Sequence, residues 1–139
     1  MTICLKTEDL NRVCSTDYYT GKVIKKNKQK DLAMIEVKGL PKRIKPVEFG
    51  KYKDVKVGET AFAIGHPNDL VWTFTDGRVS QKRPDYKWTY KNSRHKANTI
   101  QINVNINPGN SGGPLFNKNQ KLIGVNTFTT EGENLNFAI

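Results

Sequence analysis

No stretch of this 139-residue chain approaches the about 18 consecutive apolar residues of a membrane span. The first 20 residues lack an apolar signal core, so no secretory leader is visible, and the start reads as mid-strand. Cysteine is scarce. Cys4 and Cys14 exclude a disulfide framework; they either face each other across a turn at 7–11 or stay as two thiols. Histidine is equally scarce, and His66 and His95 stand too far from each other and from the cysteines for zinc-ligand spacing. No metal and no cofactor is expected. Helical periodicity is missing throughout, which excludes an α or α/β fold. Acidic residues number 13 against 23 lysines and arginines, giving a net charge of +10. That excess suits acidic partners, or simply a wet, lysine-rich surface.

Strand patterns fill the chain instead. Segments 3–6, 22–26 and 32–37 precede a connector at 41–57 that holds two prolines, Gly50 and many lysines. Six further strands are expected at 59–65, 71–81, 97–104, 114–116, 122–128 and 135–139, with a bulge or bend at Asp76-Gly77. Ile100 and Ile102 should share one face. Between Arg83 and Lys96 the chain reads as a polar excursion carrying Tyr86, Trp88 and Tyr90 among five cations, with Lys82 just before them. Aromatics among cations can stack bases, but no nucleic-acid-binding motif accompanies them, so a nucleic acid is not the expected partner. The all-β pattern fits a small closed barrel preceded by part of another, or else an open sandwich.

The densest signal is Gly109-Asn110-Ser111-Gly112-Gly113-Pro114-Leu115. Attack on a carbonyl creates an oxyanion, and one well-aimed backbone N–H stabilises it by on the order of 3 kcal/mol. Glycine at 109 lets a peptide turn its N–H inward, and Ser111 adds a second N–H and a nucleophilic Oγ. The same stretch also serves as a plain glycine-rich turn, because Asn-Pro-Gly-Asn is turn chemistry. Likewise Asp31 reads either as a catalytic carboxylate or as a turn aspartate closing a lysine-rich loop.

From Asn107 to Leu115, with Ile100-Gln101 before and Leu122-Ile123-Gly124-Val125 after, the sequence closely resembles the trypsin-like serine proteases of the HtrA/Deg type. Lys30-Asp31-Leu32-Ala33-Met34-Ile35 is similar to the segment bearing the family's aspartate. Val57-Gly58-Glu59, Ala63-Ile64-Gly65-His66-Pro67, Gly77-Arg78-Val79-Ser80 and Asn136-Phe137-Ala138-Ile139 resemble strands of the second barrel. The likeness runs from about residue 20 to 139. It implies a chymotrypsin-like double β-barrel, the first barrel incomplete and the second essentially complete. The divisions would be 1–40 for the remainder of the first barrel, 41–57 for the connector and 58–139 for the second barrel. It also implies a nucleophile at Ser111, an oxyanion hole from the N–H groups of Gly109 and Ser111, and Asp31 as orienter of a histidine base.

That base has no counterpart here, because no histidine precedes Asp31. His66 is expected in a structural role at a strand end and His95 as a solvated loop residue. The chain then begins after the base, or is a catalytically silent peptide-binding module, or takes its base from another chain. The resemblance further implies a primary pocket walled by Asn105, Asn126, Thr127 and Phe128, with no carboxylate to receive a basic side chain. A neutral substrate residue fits, and the surrounding cations favour acidic substrates. A polypeptide substrate, a homo-oligomer or the upstream remainder of the same protein are the expected partners. The family setting is extracytoplasmic or secreted.

Overall fold

The structure, a computed structural model, describes residues 1–4, 18–66, 72–130 and 135–139. Nine strands and one helical turn appear among them. β1 (Thr2–Cys4), β2 (Tyr18–Asn27) and β3 (Leu32–Val37) form an antiparallel sheet in that order, and this sheet is not closed. β4 (Thr60–Gly65), β5 (Thr73–Tyr90), β6 (Ser93–Ile102), β7 (Pro114–Asn117), β8 (Leu122–Thr129) and β9 (Asn136–Ala138) make a closed barrel, ordered β4-β5-β6-β9-β8-β7. The closed barrel decides between the two architectures open in the sequence, and all six strands expected after residue 57 are present.

Closure follows from alternation. Ala61 and Ala63 on β4, Val79 on β5, Ile100 and Ile102 on β6, Leu115 on β7 and Ala138 on β9 point inward and are buried. A small barrel needs small residues between large ones, and the alanines supply them. Gly124 on β8 is one such place, because a Cβ there would stand 2.9 Å from that of Ala138. Between the inward residues, Phe62, Phe74 and Phe116 pack together on the outer face, Phe62 lying 5.2 Å from Phe74 and 5.3 Å from Phe116.

The connector is tied to this barrel more firmly than its composition suggests. Leu122 N–H donates to Glu48 C=O and Gly50 N–H to Leu122 C=O, both at 2.8 Å. A 3-10 turn, Tyr52–Asp54, follows, and then Val55, which is buried in the core. Tyr52 packs beside it, its hydroxyl 3.5 Å from Thr99 C=O, and burial raises its pKa above the ordinary tyrosine value.

Three expectations need correction. Asp76 and Gly77 neither bulge nor bend, since they pair in register with Phe62 and Ala61. Gly77 is there for close approach, as a Cβ would meet Asn103 Oδ1 at 2.5 Å; the ladder slips later, between Val79 and Gln81. The 83–96 stretch is no loose excursion but the outer part of the β5–β6 hairpin. Lys91 and Asn92, both at positive φ, turn it, a geometry matching the twist of paired strands. Pro84-Asp85 masked the strand in the sequence, and there the ladder absorbs a second slip between Arg83 and Tyr86. Finally, Tyr86 and Trp88 are not free platforms. Tyr86 stacks 5.3 Å from Phe137, and Trp88 stacks 4.7 Å from Phe128. Whether Cys4 meets Cys14 falls on Cys14, outside the described residues.

Candidate active site

The serine lies on the loop that joins β6 to β7. Val104 and Ile106, both buried, fasten its first half to the core, and Leu115 fastens its far end. Between them the chain must reverse. Asn110 N–H donates to Asn107 C=O at 3.0 Å, and Gly113 N–H donates to Asn110 C=O at 3.0 Å. Gly109 at φ 103° and Gly112 at φ 83° occupy backbone conformations that a side chain would strain.

Asn110 is the hinge of this arrangement, a role that turn chemistry alone does not reveal. Its side chain is buried, and Nδ2 donates to Asn105 C=O at 3.3 Å. It packs directly on Gly65, the last residue of β4, where any Cβ would collide with Oδ1. Next to it, His66 N–H reaches Gly109 C=O at 3.4 Å. Gly65-His66 therefore does more than end a strand: it seats the loop that carries Ser111.

The opposite wall is β8. Gly112 N–H donates to Asn126 C=O at 2.7 Å, and Asn126 N–H donates back to Gly113 C=O at 2.9 Å. Asn126 is buried and its Nδ2 holds Pro114 C=O at 3.3 Å. One residue on, Thr127 C=O accepts the Ser111 hydroxyl at 3.5 Å. Phe128 follows, sandwiched between Phe137 and Trp88, each ring 4.7 Å away. Stacks of this kind are worth about 0.5–1.5 kcal/mol each beyond burial, so this wall is stiff.

Ser111 itself is exposed. Among the described residues neither its N–H nor that of Gly109 donates to a protein acceptor. An oxyanion site needs unspent donors aimed at one point beside the hydroxyl. The hydroxyl proton, however, points at a carbonyl, which cannot remove it. A serine so placed is a weak nucleophile.

Ser111, Gly109, Asn126 and Thr127 are thus brought together, with Asn105 joined through Asn110 and Phe128 next along the wall. Asp31 is not brought in. It is an exposed turn residue at φ 56°, and among the described residues no hydrogen bond or ion pair links it to Ser111 or to a histidine. The turn before it docks elsewhere: Lys96 N–H donates to Gln29 C=O at 2.9 Å, and His95 Nδ1 lies 3.0 Å from Lys28 C=O. His95 is accordingly no solvated loop residue. It is half-buried on β6, stacked 5.1 Å from Trp88. His66 packs edge-on against Trp72 at 4.7 Å, which fits the structural role expected of it.

Comparison with known proteins agrees with this geometry. A family model described as a trypsin-like peptidase domain matches residues 8–125. Protease Do-like 1, chloroplastic, from Arabidopsis thaliana is 36% identical over 78% of this chain and 25% of its own length. A probable periplasmic serine endoprotease DegP-like protein of Rickettsia prowazekii is 36% identical over 96% of this chain and 26% of its own. The solved HtrA-type protease AlgW with decapeptide superposes at a TM-score of 0.74 with 26% identity, covering 88% of this chain and 37% of that one. The chain spans about a quarter of the length of these curated relatives. Its serine loop, closed barrel and matched span place it in the trypsin-like peptidase family, as a serine protease domain of the HtrA/Deg branch.

Proposed function

We propose that this chain is the part of a serine endopeptidase that holds the nucleophile, the oxyanion site and the substrate wall, and that it lacks a working base. Ser111 Oγ attacks the peptide carbonyl, and the N–H groups of Gly109 and Ser111 hold the oxygen of the tetrahedral intermediate. Asn105, Asn126, Thr127 and Phe128 wall a pocket for a neutral side chain. Asp31 would orient a base supplied from outside these 139 residues, once its hairpin faces the serine loop. In this reading 1–40 is part of a first barrel, 41–57 a connector and 58–139 the second barrel. A polypeptide is the substrate, and an extracytoplasmic setting follows the relatives whose names read periplasmic. The observation that carries the reading is the pair of unspent N–H groups flanking an exposed serine.

Free imidazole tests it, because a diffusible base can replace a missing one. With an activated phenyl acetate, imidazole takes the Ser111 proton, Oγ bonds to the acetyl carbon and phenolate leaves. Peptide mass spectrometry should show an acetyl group at Ser111, distinct from acetylated lysines, formed about tenfold or more faster with imidazole, short of the roughly 10²–10⁴ of a positioned base. Ser111→Ala should abolish that adduct. An adduct indifferent to imidazole, or one that survives the substitution, overturns the assignment.

A second reading has its own support. The Ser111 hydroxyl rests on the Thr127 carbonyl rather than on a base, as suits a silent module that binds extended peptides without cutting them. Peptide binding with no acetylation at any imidazole concentration would favour it.

A further inference from the structure

Two basic clusters lying far apart in sequence meet in the fold. Lys25, Lys26, Lys28 and Lys30 sit on the β2–β3 hairpin, and Lys87, Lys91, Arg94 and Lys96 on the outer β5–β6 hairpin. The hydrogen bonds from His95 to Lys28 C=O and from Lys96 N–H to Gln29 C=O join the two hairpins. A carbonyl only accepts, so His95 Nδ1 is the donor in that bond. A cleft of about 480 Å³ opens at this junction, lined by Gln29, Lys87, Trp88, Arg94, His95 and Lys96. The stacked rings of Trp88 and His95, inclined by 16°, give it a flat aromatic side.

The charge around this cleft is largely uncompensated. Lys96 pairs with Asp85 at 3.0 Å, and Asp31 is the other acid nearby; the remaining cations make no ion pair among the described residues. Like charges gathered on Lys87 and Arg94 and on the neighbouring β2–β3 hairpin repel one another, which an anionic partner would relieve. The backbone narrows the choice of partner. Among the described residues β5 is flanked on its β4 side only as far as Val79; beyond it β5 pairs with β6 alone and keeps one open edge, across the hairpin from the Gln29 contact. An open edge offers N–H and C=O groups to an extended peptide. Nucleic acid would use aromatic faces instead; Tyr86 and Trp88 have theirs occupied, and of the three aromatics on the outer β5–β6 hairpin only Tyr90 stands exposed.

We propose that the junction of the β2–β3 and β5–β6 hairpins is a docking site for an acidic, extended polypeptide segment. The site is connected to the serine loop by packing: Trp88 stacks on Phe128, next to the Thr127 carbonyl that accepts from Ser111. It deepens the endopeptidase reading by naming the substrate class. Binding without turnover tests it separately from Ser111 chemistry.

The experiment uses the Ser111→Ala chain and a fluorescein-labelled ten-residue glutamate-rich peptide, read by fluorescence anisotropy. Binding is expected to weaken about tenfold between about 50 and 200 mM salt. The double change Lys87→Glu with Arg94→Glu should weaken it about tenfold or more at low salt. Lys42→Glu with Lys45→Glu, the same charge change on the exposed connector, should alter it less than about threefold. Equal loss in both doubles would mean net charge alone and overturn the site. So would absence of binding at low salt, or tighter binding of a single-stranded oligonucleotide of equal charge. No peptide binding by the Ser111→Ala chain, with imidazole-driven acetylation intact in the unaltered chain, would reject the docking site and leave the endopeptidase reading standing.

Discussion

Replacing Leu115 by alanine is expected to destabilise the fold by about 2–5 kcal/mol, in the upper half of that range. Leu115 is fully buried in the barrel core. Its register partners are Ala63 on β4 and Gly124 on β8, so neither neighbouring strand has a large side chain at that level to fill the space left behind. The barrel is closed on all sides, and a closed ladder cannot shift inward to collapse the hole. The measurement is the urea midpoint, with an unchanged slope showing that stability rather than compactness has moved. Phe116→Ala is the control. Phe116 stands on the outer face against Phe62, and its loss should cost about 1 kcal/mol. A Leu115→Ala midpoint no lower than that of Phe116→Ala would mean that the inward and outward faces of β7 have been assigned the wrong way round.

That assignment rests on alternation, which is also why so much of the barrel was legible. Ile100 and Ile102 read as one face in the sequence and both are buried. The segments 32–37 and 122–128 match strands to within a residue. The β5–β6 hairpin was not legible, because Pro84-Asp85 imitates a chain break and Lys91-Asn92 lacks the glycine that usually marks such a turn. Nor does composition reveal that Val55, in a lysine-rich connector, enters the core.

The serine loop was legible because it needs glycine where the backbone takes positive φ, and Gly109 and Gly112 do take it. What could not be read is anything set by distant partners. Asparagine at 110 looks like turn chemistry, yet its buried side chain couples the loop to Asn105 and to Gly65. Asp31 lies in a segment that resembles the family's aspartate-bearing one, but such a likeness does not fix where a hairpin docks, and this one docks through Lys28 and Gln29 on β6. Local pattern specifies backbone conformation; the joining of two carboxylate- and hydroxyl-bearing loops is decided by packing between sheets.

Gly65→Ala isolates that distant control, and is expected to cut imidazole-driven acetylation of Ser111 by about 10²-fold, the scale of a lost oxyanion donor. The added methyl would collide with the Asn110 side chain and stand 3.2 Å from its Cα. A surface side chain would swing aside, but Asn110 is buried and held by its bond to Asn105 C=O. The loop must therefore move, and Gly109 and Ser111, on either side of Asn110, move with it. The barrel should survive, since overpacking of this size costs about 1–3 kcal/mol. A large fall in acetylation with a modest change in urea midpoint is then the signature of a displaced oxyanion site. Acetylation equal to that of the unaltered chain would show that Gly65 does not seat the serine loop, and that the N–H groups of Gly109 and Ser111 take their positions from the loop's own glycines alone.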